Sequence, residues 1–371
     1  MNQKITISTC GTSIFTNGTD KETVKFLREN ANKNKNEYSP EGLERIDKLI
    51  EEKRAKLIDA SPQEVQKLSA ELNGFIAFYD NGAKLDEARD NVHYLIHTDT
   101  YQGVKAAELI REWGEHHKIN MQAVLIDDLN TGNIEEFRLG VNNLVEWCAW
   151  TLPGYRSQGY EVIFNLVGGF KSLQGYMQTL GMFYADETIY IFESGGELLR
   201  IPKMPVDFSN NAKTAVLENF KAFRKMQRES ISRSECPNIP ETLLDIIDGK
   251  CTISAWGKII WEEVQRTAYS EEILPPLSEY IIISDKVRKT AQNLPSDRIV
   301  RFNQAIDKLS RYIETKERLQ SCNLRALVDN PVPPSTHEFN LWSDMGGWRG
   351  FCHFEGDNLI IDDIDMGIGH C

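Results

Sequence analysis

The order of apolar and polar residues in the first half of the chain predicts strands that alternate with helices. Lys4–Thr9 alternates apolar and polar residues and ends in a turn of small residues, as a first strand would. Such alternation of strand and helix indicates parallel strands with crossover helices, so we expect an α/β domain with a doubly wound parallel sheet over residues 1–205. The later runs are the pairs Asn91–His97 before Gly103–His116, Met121–Ile126 before Ile134–Trp150, and Tyr160–Leu166 before Ser172–Ala185, and then the strand Thr188–Glu193.

A charged, helix-favouring insert separates the first strand from the next one. It extends from about Thr19 to Asn73, and its runs Leu43–Leu57 and Pro62–Leu72 have apolar residues at helical spacing. Ser61 before Pro62 is typical of a helix start, because serine caps free backbone N–H groups and proline fits the first turn. We interpret the insert as a decoration of the first domain or as a dimer surface.

The second half of the chain has a different pattern. Pro202 and Pro205 mark a boundary, after which residues 206–284 show helical runs closed by one short strand, as in a winged-helix-like domain. Those runs are Asp207–Glu229, Pro240–Asp248, Ser254–Ala268 and the strand Tyr280–Ile283. Residues 285–371 show two helices and then three strands, which indicates a small α+β domain. Its runs are Asp297–Glu314, Leu319–Leu327, Thr336–Trp342, Trp348–Phe354 and Asn358–Ile364.

Composition narrows the class of protein. Of the 371 residues, 41% are apolar and 26% are charged, as in an ordinary globular protein, and the seven cysteines lack the spacing of zinc or redox motifs. There is no apolar run of membrane-helix length and no signal-peptide core, so we expect a cytoplasmic protein with free thiols. The net charge of −13 disfavours nucleic-acid binding, but Lys286–Arg325 has ten Lys or Arg against four Asp or Glu and would meet a polyanion.

Two glycine-containing turns follow strands of the first domain. In a doubly wound sheet, ligands bind beyond the carboxyl ends of the strands, where glycine lets backbone N–H groups approach phosphate or ribose. Neither turn has the glycine spacing of a dinucleotide fingerprint or a P-loop, so a plain strand-to-helix turn remains an alternative. Together they predict a site for a nucleotide-like anion. The residues are Gly11, Thr12 and Ser13 with nearby Asn17, and then Gly168, Gly169, Phe170 and Lys171.

These two turns follow strands, and a helix follows the second turn. This succession of a strand, a Gly-Thr-Ser turn, a later strand, a Gly-Gly-Phe-Lys turn and a helix makes residues 1–205 similar to the CRISPR-associated Rossmann-fold (CARF) sensors. The resemblance implies a homodimer that binds a cyclic oligoadenylate messenger across its two-fold axis. It also implies that both turns contact the ligand, together with Thr98, Asp99 and Thr100 after the next strand. Some CARF domains cleave their messenger, and the sequence leaves open whether this one does.

Three of the seven histidines, His337, His353 and His370, lie close to the C-terminus. A metal-free ribonuclease can use one histidine to deprotonate a ribose 2′-OH and another to protonate the leaving 5′ oxygen. Arg349 precedes His353 by four residues, which on a regular strand places both on one face, where the cation could stabilise the phosphorane charge. Two alternatives remain. His353, Asp357 and His370 could bind zinc, although their spacing is less compact than that of known zinc motifs, or the histidines could serve structure alone.

The run from Thr336 to His370 resembles the RelE superfamily of messenger RNA interferases, closest to its histidine-rich branch. The segments that carry the resemblance are Thr336–Leu341, Gly347–Phe351, His353–Asp357, Leu359–Ile361 and Gly367–His370. The resemblance implies metal-free catalysis by His337, His353, Asp357 and His370. The chain departs from the family at Met366, where the family has an arginine four residues before the terminal histidine. The missing cation would come from one of four residues: Arg349, Arg311, Arg318 or Arg325.

The order of the two resemblances, with a winged-helix-like piece between them, matches the CARF–RelE fusion family of CRISPR-associated messenger RNA interferases. It implies a homodimeric endoribonuclease of type III CRISPR defence that needs no cofactor, is activated by cyclic tetra-adenylate and cleaves messenger RNA at the ribosomal A site.

Two other functions stay open. A DNA-binding regulator could use the middle piece as its output with a degenerate nuclease tail, although Ser254–Ala268 has Lys258 and Arg266 beside Glu262 and Glu263 rather than a basic face. A messenger-degrading enzyme could use the tail as a binding module.

Overall fold

The computed structural model describes residues 3–129, 132, 134–192, 196–227, 229–315, 323–327, 332–342 and 347–366. The chain divides into two compact units, Met1–Asp207 and Phe208–Cys371. The first unit ends close to the predicted boundary at residue 205. Segments 206–284 and 285–371 share the second unit, so their division into two domains stays a prediction. Among the described residues, no helix is both long and apolar enough to cross a membrane.

A six-stranded sheet forms the centre of the first unit. Its strands are β1 Lys4–Thr9, β2 Val92–His97, β3 Asn120–Leu125, β4 Glu161–Asn165, β5 Glu187–Ile191 and β6 Leu198–Pro202. They lie in the order β3-β2-β1-β4-β5-β6, with β1 to β5 parallel to their neighbours and β6 antiparallel to β5. The predicted α/β class with parallel strands is therefore confirmed. The strand order reverses next to β1, which is where ligands bind in sheets of this kind.

Helices lie between these strands. Their bounds are α1 Ser13–Thr16, α2 Lys21–Glu29, α3 Pro40–Ile58, α4 Pro62–Leu68, α5 Ala70–Phe78, α6 Tyr101–His116, α7 Ile134–Ser157 and α8 Lys171–Tyr184. The predicted helix start at Ser61 is confirmed, because Ser61 and Glu64 form a capping box and Pro62 is the first residue of α4.

The charged insert contributes to the core of the first unit. Its helix α3 buries Ile46, and helix α5, which begins in the insert, buries Leu72, both in the same apolar cluster as Trp113 of α6. Arg54 Nε of α3 also lies 2.7 Å from Glu112 Oε2 of α6. The insert is therefore more than a decoration of the first domain, because its apolar stripe faces the domain.

A buried histidine lies on β2. The ring of His93 is 1% exposed, its Nε2 is 3.1 Å from the Ala88 carbonyl oxygen, and Phe75 packs edge-on at 4.8 Å between ring centroids. Burial lowers the pKa of His93 to about 4, because the charged imidazolium loses its hydration there. The native protein therefore keeps this ring neutral at pH values where the unfolded chain protonates it.

We expect acid to destabilise the protein partly through His93. Between pH 6.5 and 4 the unfolded state binds a proton that the folded state does not, so the free energy of unfolding falls as the pH falls, by about 1.4 kcal/mol per pH unit. In His93→Gln, the loss between pH 7.5 and 4.5 is expected to be smaller by about 2–3 kcal/mol. Urea unfolding of the full chain at several pH values measures this difference, and equal losses in both proteins would contradict it.

The second unit begins with two helices and a small antiparallel sheet. The helices are α9 Asn210–Glu218 and α10 Phe220–Met226, and the strands β7 Ile231–Ser232, β8 Leu244–Ile247 and β9 Lys250–Ile253 lie in the order β7-β9-β8. The prediction of a helix over Pro240–Asp248 is wrong. One 3₁₀ turn is followed there by β8, because the short apolar run pairs with β9 and such runs do not distinguish strand from helix by pattern.

A five-stranded sheet follows. The remaining helices and strands of the second unit are α11 Ala255–Glu271, β10 Ile281–Ile283, α12 Asp285–Gln292, α13 Ser296–Thr315, β11 Arg325–Ala326, β12 His337–Trp342, β13 Trp348–Glu355 and β14 Asn358–Met366. The five strands of the sheet lie in the order β10-β14-β13-β12-β11, with β10 parallel to β14 and the other pairs antiparallel.

One sequence prediction about this sheet is corrected, and one strand has a partner that was not predicted. The predicted strand at the end of the middle piece 206–284 is present as β10, and it pairs with β14 near the end of the chain, a partner that no local pattern could indicate. A helix was predicted around Leu319–Leu327, but its described part contains β11 instead, because Arg325 and Ala326 pair with β12. The remainder of that run, up to residue 322, lies outside the described residues.

A buried ion pair joins three helices of the second unit. Arg224 Nη2 on α10 lies 2.5 Å from Asp307 Oδ1 on α13, and the two side chains are only 6% and 1% exposed. The hydroxyl of Tyr269 on α11 donates to the same carboxylate, and Arg224 also donates to the Pro275 carbonyl at 3.0 Å. Burial raises the pKa of Tyr269, so its phenol remains a donor.

Candidate functional site

A cavity of about 330 Å³ lies at the carboxyl ends of β1, β2 and β4 in the first unit. The segments that follow these strands line it, together with residues of the insert. The lining residues are Cys10, Gly11, Thr12, Ser13, Thr16, Ala31, Asn32, Ala70, Thr98, Thr100, Gly103, Val167, Gly168, Gly169 and Phe170. The turns that the sequence singled out thus converge on one cavity beside the reversal of strand order.

Three of the predicted ligand residues lie elsewhere. Asn17 is not part of the lining, and its amide donates to the Lys67 carbonyl at 3.2 Å. Asp99 is also outside the lining, and burial raises its pKa, with smaller contributions from Asp128 and other nearby carboxylates. Lys171 is exposed as the first residue of α8. Its ammonium group is therefore not a wall of the cavity.

The two glycine turns pack against each other. Gly169 has φ +90°, and a Cβ built there would lie 2.8 Å from the Thr9 side chain at the end of β1. A Cβ on Gly11 would lie 3.1 Å from the Gly169 backbone. The Thr9 hydroxyl also donates to the Gly168 carbonyl at 2.7 Å. Both the backbone conformation and the close approach require glycine at position 169.

We expect Gly169→Ala to destabilise the first unit by about 1–3 kcal/mol, because alanine would be strained at this φ and would collide with Thr9. Gly175→Ala is the matched control. Gly175 lies within α8, nothing surrounds a Cβ there within 4 Å, and alanine favours helix by up to about 1 kcal/mol. Thermal unfolding of the two variants separates the effects. A Gly169→Ala protein as stable as Gly175→Ala would show that the turn is not strained.

A carboxylate that the sequence did not reveal lies beneath these turns. Glu71 of α5 is 1% exposed. Its Oε1 accepts from Gly11 N at 2.7 Å, and its Oε2 accepts from the hydroxyls of Ser13 and Ser69 at 2.6 and 2.7 Å. A Cβ on Gly168 would lie 2.3 Å from Glu71 Oε1, so the glycine makes room for the acid. Glu71 thus links the insert to the Gly11 turn by hydrogen bonds, and the Gly168 turn packs closely against it.

This carboxylate lies beside residues of the predicted site for a nucleotide-like anion. Gly11 and Ser13 were predicted to contact the ligand, and the Gly11 N–H and the Ser13 hydroxyl both donate to Glu71. Among the residues that the structure describes, those that line the cavity carry no charged side chain. A buried negative charge behind an uncharged wall disfavours phosphate inside the cavity and favours neutral, hydrogen-bonding groups such as a nucleobase or ribose.

In the second unit, His353 faces a carboxylate. Its Nδ1 lies 2.8 Å from Asp362 Oδ2 on the neighbouring strand β14. Strand β13 turns Gly350 and Cys352 towards the core, where Gly350 packs against the Phe339 ring. Because side chains alternate along β13, Arg349 and His353 lie together on the other face of the sheet. The imidazole of His353, its carboxylate partner and the residue Arg349 therefore share one face of the sheet, with the buried Phe351 between the histidine and the arginine.

The predicted cluster of catalytic residues is not assembled as expected. His337 is directly opposite Cys352, and directly opposed residues share a face, so His337 lies on the opposite side of the sheet from His353. Its ring packs edge-on against Phe354 at 5.2 Å. Asp357 lies in the exposed turn between β13 and β14. His370 lies outside the described residues.

The structure also places the candidate cations. Arg325 was proposed as a helix base, but it lies on β11 and its Nε is 2.6 Å from Glu338 Oε1. Arg311 belongs to α13, and Arg318 lies outside the described residues. Arg349 is the arginine that strand geometry puts on the face of His353.

In the alternative of a DNA-binding regulator, α11 would be the helix that contacts DNA, but one of its two basic residues is already paired. Lys258 of α11 is buried, and its Nζ lies 2.7 Å from Glu262 Oε1. A lysine paired in this way cannot neutralise a phosphate without breaking the pair. The geometry of α11 thus disfavours a recognition role.

Residues 66–204 match the family model described as CRISPR-associated protein (Cas_APE2256). This part of the chain is similar to CRISPR-associated proteins. The match lies within the first unit and includes Glu71 and the turns around Thr98 and Gly168, and it supports an association of the chain with CRISPR-Cas. No curated protein matches the chain.

Proposed function

We propose that this protein is a cyclic oligoadenylate-activated ribonuclease of CRISPR defence, with cyclic tetra-adenylate as the activator and ribosome-bound messenger RNA as the substrate. The observation that carries the proposal is the convergence of the Gly11, Thr98 and Gly168 turns on one cavity. The Thr98 and Gly168 turns lie in the region similar to CRISPR-associated proteins. The CARF and RelE resemblances of the two ends of the chain supply the messenger and the reaction.

The lining of the cavity favours a nucleotide ligand whose base or ribose lies inside the cavity. The hydroxyls of Thr98 and Thr100 and the backbone around Gly169 offer hydrogen-bonding groups, and Phe170 offers an aromatic surface. The phosphates of an oligoadenylate would remain at the mouth, outside the uncharged wall, with Lys171 exposed at the start of α8. A symmetric ring needs such a site from each of two chains, so a homodimer is part of the proposal.

The catalytic part of the proposal centres on His353. Its Nδ1 contacts Asp362, so Nε2 is available to take the proton of a ribose 2′-OH. The 2′ oxygen then bonds to phosphorus, the bond from phosphorus to the 5′ oxygen breaks, and water protonates the leaving 5′ oxygen. Arg349 on the same face stabilises the negative charge on the phosphorane. His353 finally returns its proton to solvent.

The net charge of the chain is consistent with a messenger RNA substrate that the ribosome holds in place, rather than with free RNA that the enzyme must bind by itself. A net charge of −13 gives little attraction for free RNA. A ribosome holds messenger RNA in place, so the enzyme would need only a local basic surface such as that of Lys286–Arg325.

Incubating the full chain with translating ribosomes, with and without cyclic tetra-adenylate, and mapping RNA ends tests the proposal. We expect cuts in messenger RNA only when the ligand is present. Cyclic hexa-adenylate and free messenger RNA are the comparison arms for ligand and substrate. The absence of cuts with every ligand would refute the ribonuclease, and cuts that do not need a ligand would refute the sensor.

A further inference from the structure

The carboxylate that contacts His353 comes from an irregular point of its strand. Phe351 pairs with Asp363 and the next residue, Cys352, pairs with Ile361, so Asp362 is an extra residue of β14 without a partner on β13. Such a β-bulge turns a side chain away from the regular alternation of the strand. The bulge at Asp362 is what directs its carboxylate to the His353 ring.

Neighbouring groups fix the bulge and its carboxylate. The Asp362 carbonyl accepts at 3.3 Å from the hydroxyl of Ser284, the residue that caps the start of α12. The hydroxyl of Ser335, a fully buried residue before β12, donates to Asp362 Oδ2 at 2.7 Å. The same oxygen lies 2.8 Å from His353 Nδ1. Contacts from α12 and from the start of β12 thus hold the acid in place behind the imidazole.

We propose that Asp362, oriented by Ser335, is the positioning residue of the ribonuclease site and holds His353 in the tautomer protonated at Nδ1. An ionised carboxylate only accepts hydrogen bonds, so the ring nitrogen facing it must carry the hydrogen. The lone pair is then on Nε2, which points away from the acid and towards the substrate. The assignment rests on the proposed function and differs from the residue that the RelE resemblance implies, Asp357.

Asp362→Asn tests the assignment, because asparagine keeps the shape and presents an amide that can donate to Nδ1. The donated bond would favour the tautomer protonated at Nε2, which cannot accept the 2′-OH proton. We expect the cleavage rate on ribosomes to fall by about 100-fold to 10,000-fold with KM little changed. Asp363→Asn, which removes the adjacent carboxylate bound to Lys286, is the matched control and leaves the rate unchanged. Ser335→Ala lowers the rate less than Asp362→Asn.

The second readout does not depend on activity. Nitrogen-15 chemical shifts of the labelled imidazoles, with the His353 signals identified by their loss in His353→Gln, report which ring nitrogen bears hydrogen. We expect Nδ1–H in the wild type and in Asp363→Asn, and a shift towards Nε2–H in Asp362→Asn. Nε2–H in the wild type overturns the proposal, as does full cleavage by Asp362→Asn. The expected tautomers without cleavage by the wild type would leave the positioning standing and refute the ribonuclease.

Discussion

His353→Ala removes ligand-dependent RNA cleavage, with an expected loss of at least about 100-fold, whereas His337→Ala loses less than about tenfold. The difference follows from strand register. His353 shares a face of the sheet with Arg349 and contacts Asp362, while His337 lies opposite Cys352 on the other face. A single phosphate group cannot contact side chains on both faces of one sheet, so only one of these two histidines can act on it.

Single-turnover cleavage on translating ribosomes at saturating cyclic tetra-adenylate measures both variants, and circular dichroism shows whether they are folded. The two substitutions remove the same ring from neighbouring strands, so each serves as the other's control. A loss in His337→Ala as large as in His353→Ala would contradict the assignment of faces. Equal activity of both variants and the wild type would place the catalytic base elsewhere.

Asp307→Ala is expected to destabilise the second unit by about 3–5 kcal/mol. The substitution leaves the buried guanidinium of Arg224 without its carboxylate and removes the acceptor of the Tyr269 hydroxyl. A buried charge without a partner costs far more than the pair contributes when intact, because neither water nor another group replaces the lost interaction. Helices α10, α11 and α13, which meet at this pair, are expected to open together.

Hydrogen exchange of the full chain, read by mass spectrometry, localises this effect. Amides of α13 are expected to exchange faster by two to four orders of magnitude, since each 1.4 kcal/mol corresponds to about tenfold. Peptides of β1 and β4 in the first unit remain unchanged. Asp297→Ala is the matched control on α13. Its carboxylate is 67% exposed beside Arg298, and such pairs contribute less than about 1 kcal/mol. Similar protection in the two variants would contradict the role of the buried pair.

The strands of the first unit could be predicted because their sequence pattern is local to each strand. Parallel strands covered by helices show as short apolar runs separated by helical runs, and β1 to β5 were therefore located to within a few residues. The second unit was harder, because its strands are short and find distant partners. Strand β10, for example, pairs with β14 almost eighty residues later, and β8 resembled a helix by its leucines and isoleucines.

The residues of the candidate site in the first unit also fall into those that the sequence indicated and those that it did not. The glycines of the turns at Gly11 and Gly168 indicate their position from sequence, since only glycine fits the tight approach that the structure shows there. Glu71 has no such signature. It is one of many acids in a charged insert, and only its burial beside Gly11 and Ser13 distinguishes it.

The sequence by itself determined the α/β class, the position of the turns and the presence of histidines near the end of the chain, because each depends on residue type and short-range spacing. Only the tertiary structure decided that Glu71 accepts hydrogen bonds from Gly11 and Ser13, that Asp362 contacts His353, and that His337 lies on the opposite face of the sheet from His353. Those outcomes depend on strand register and on contacts between distant residues. A bulge of one residue changes where a side chain points without changing the pattern of the sequence.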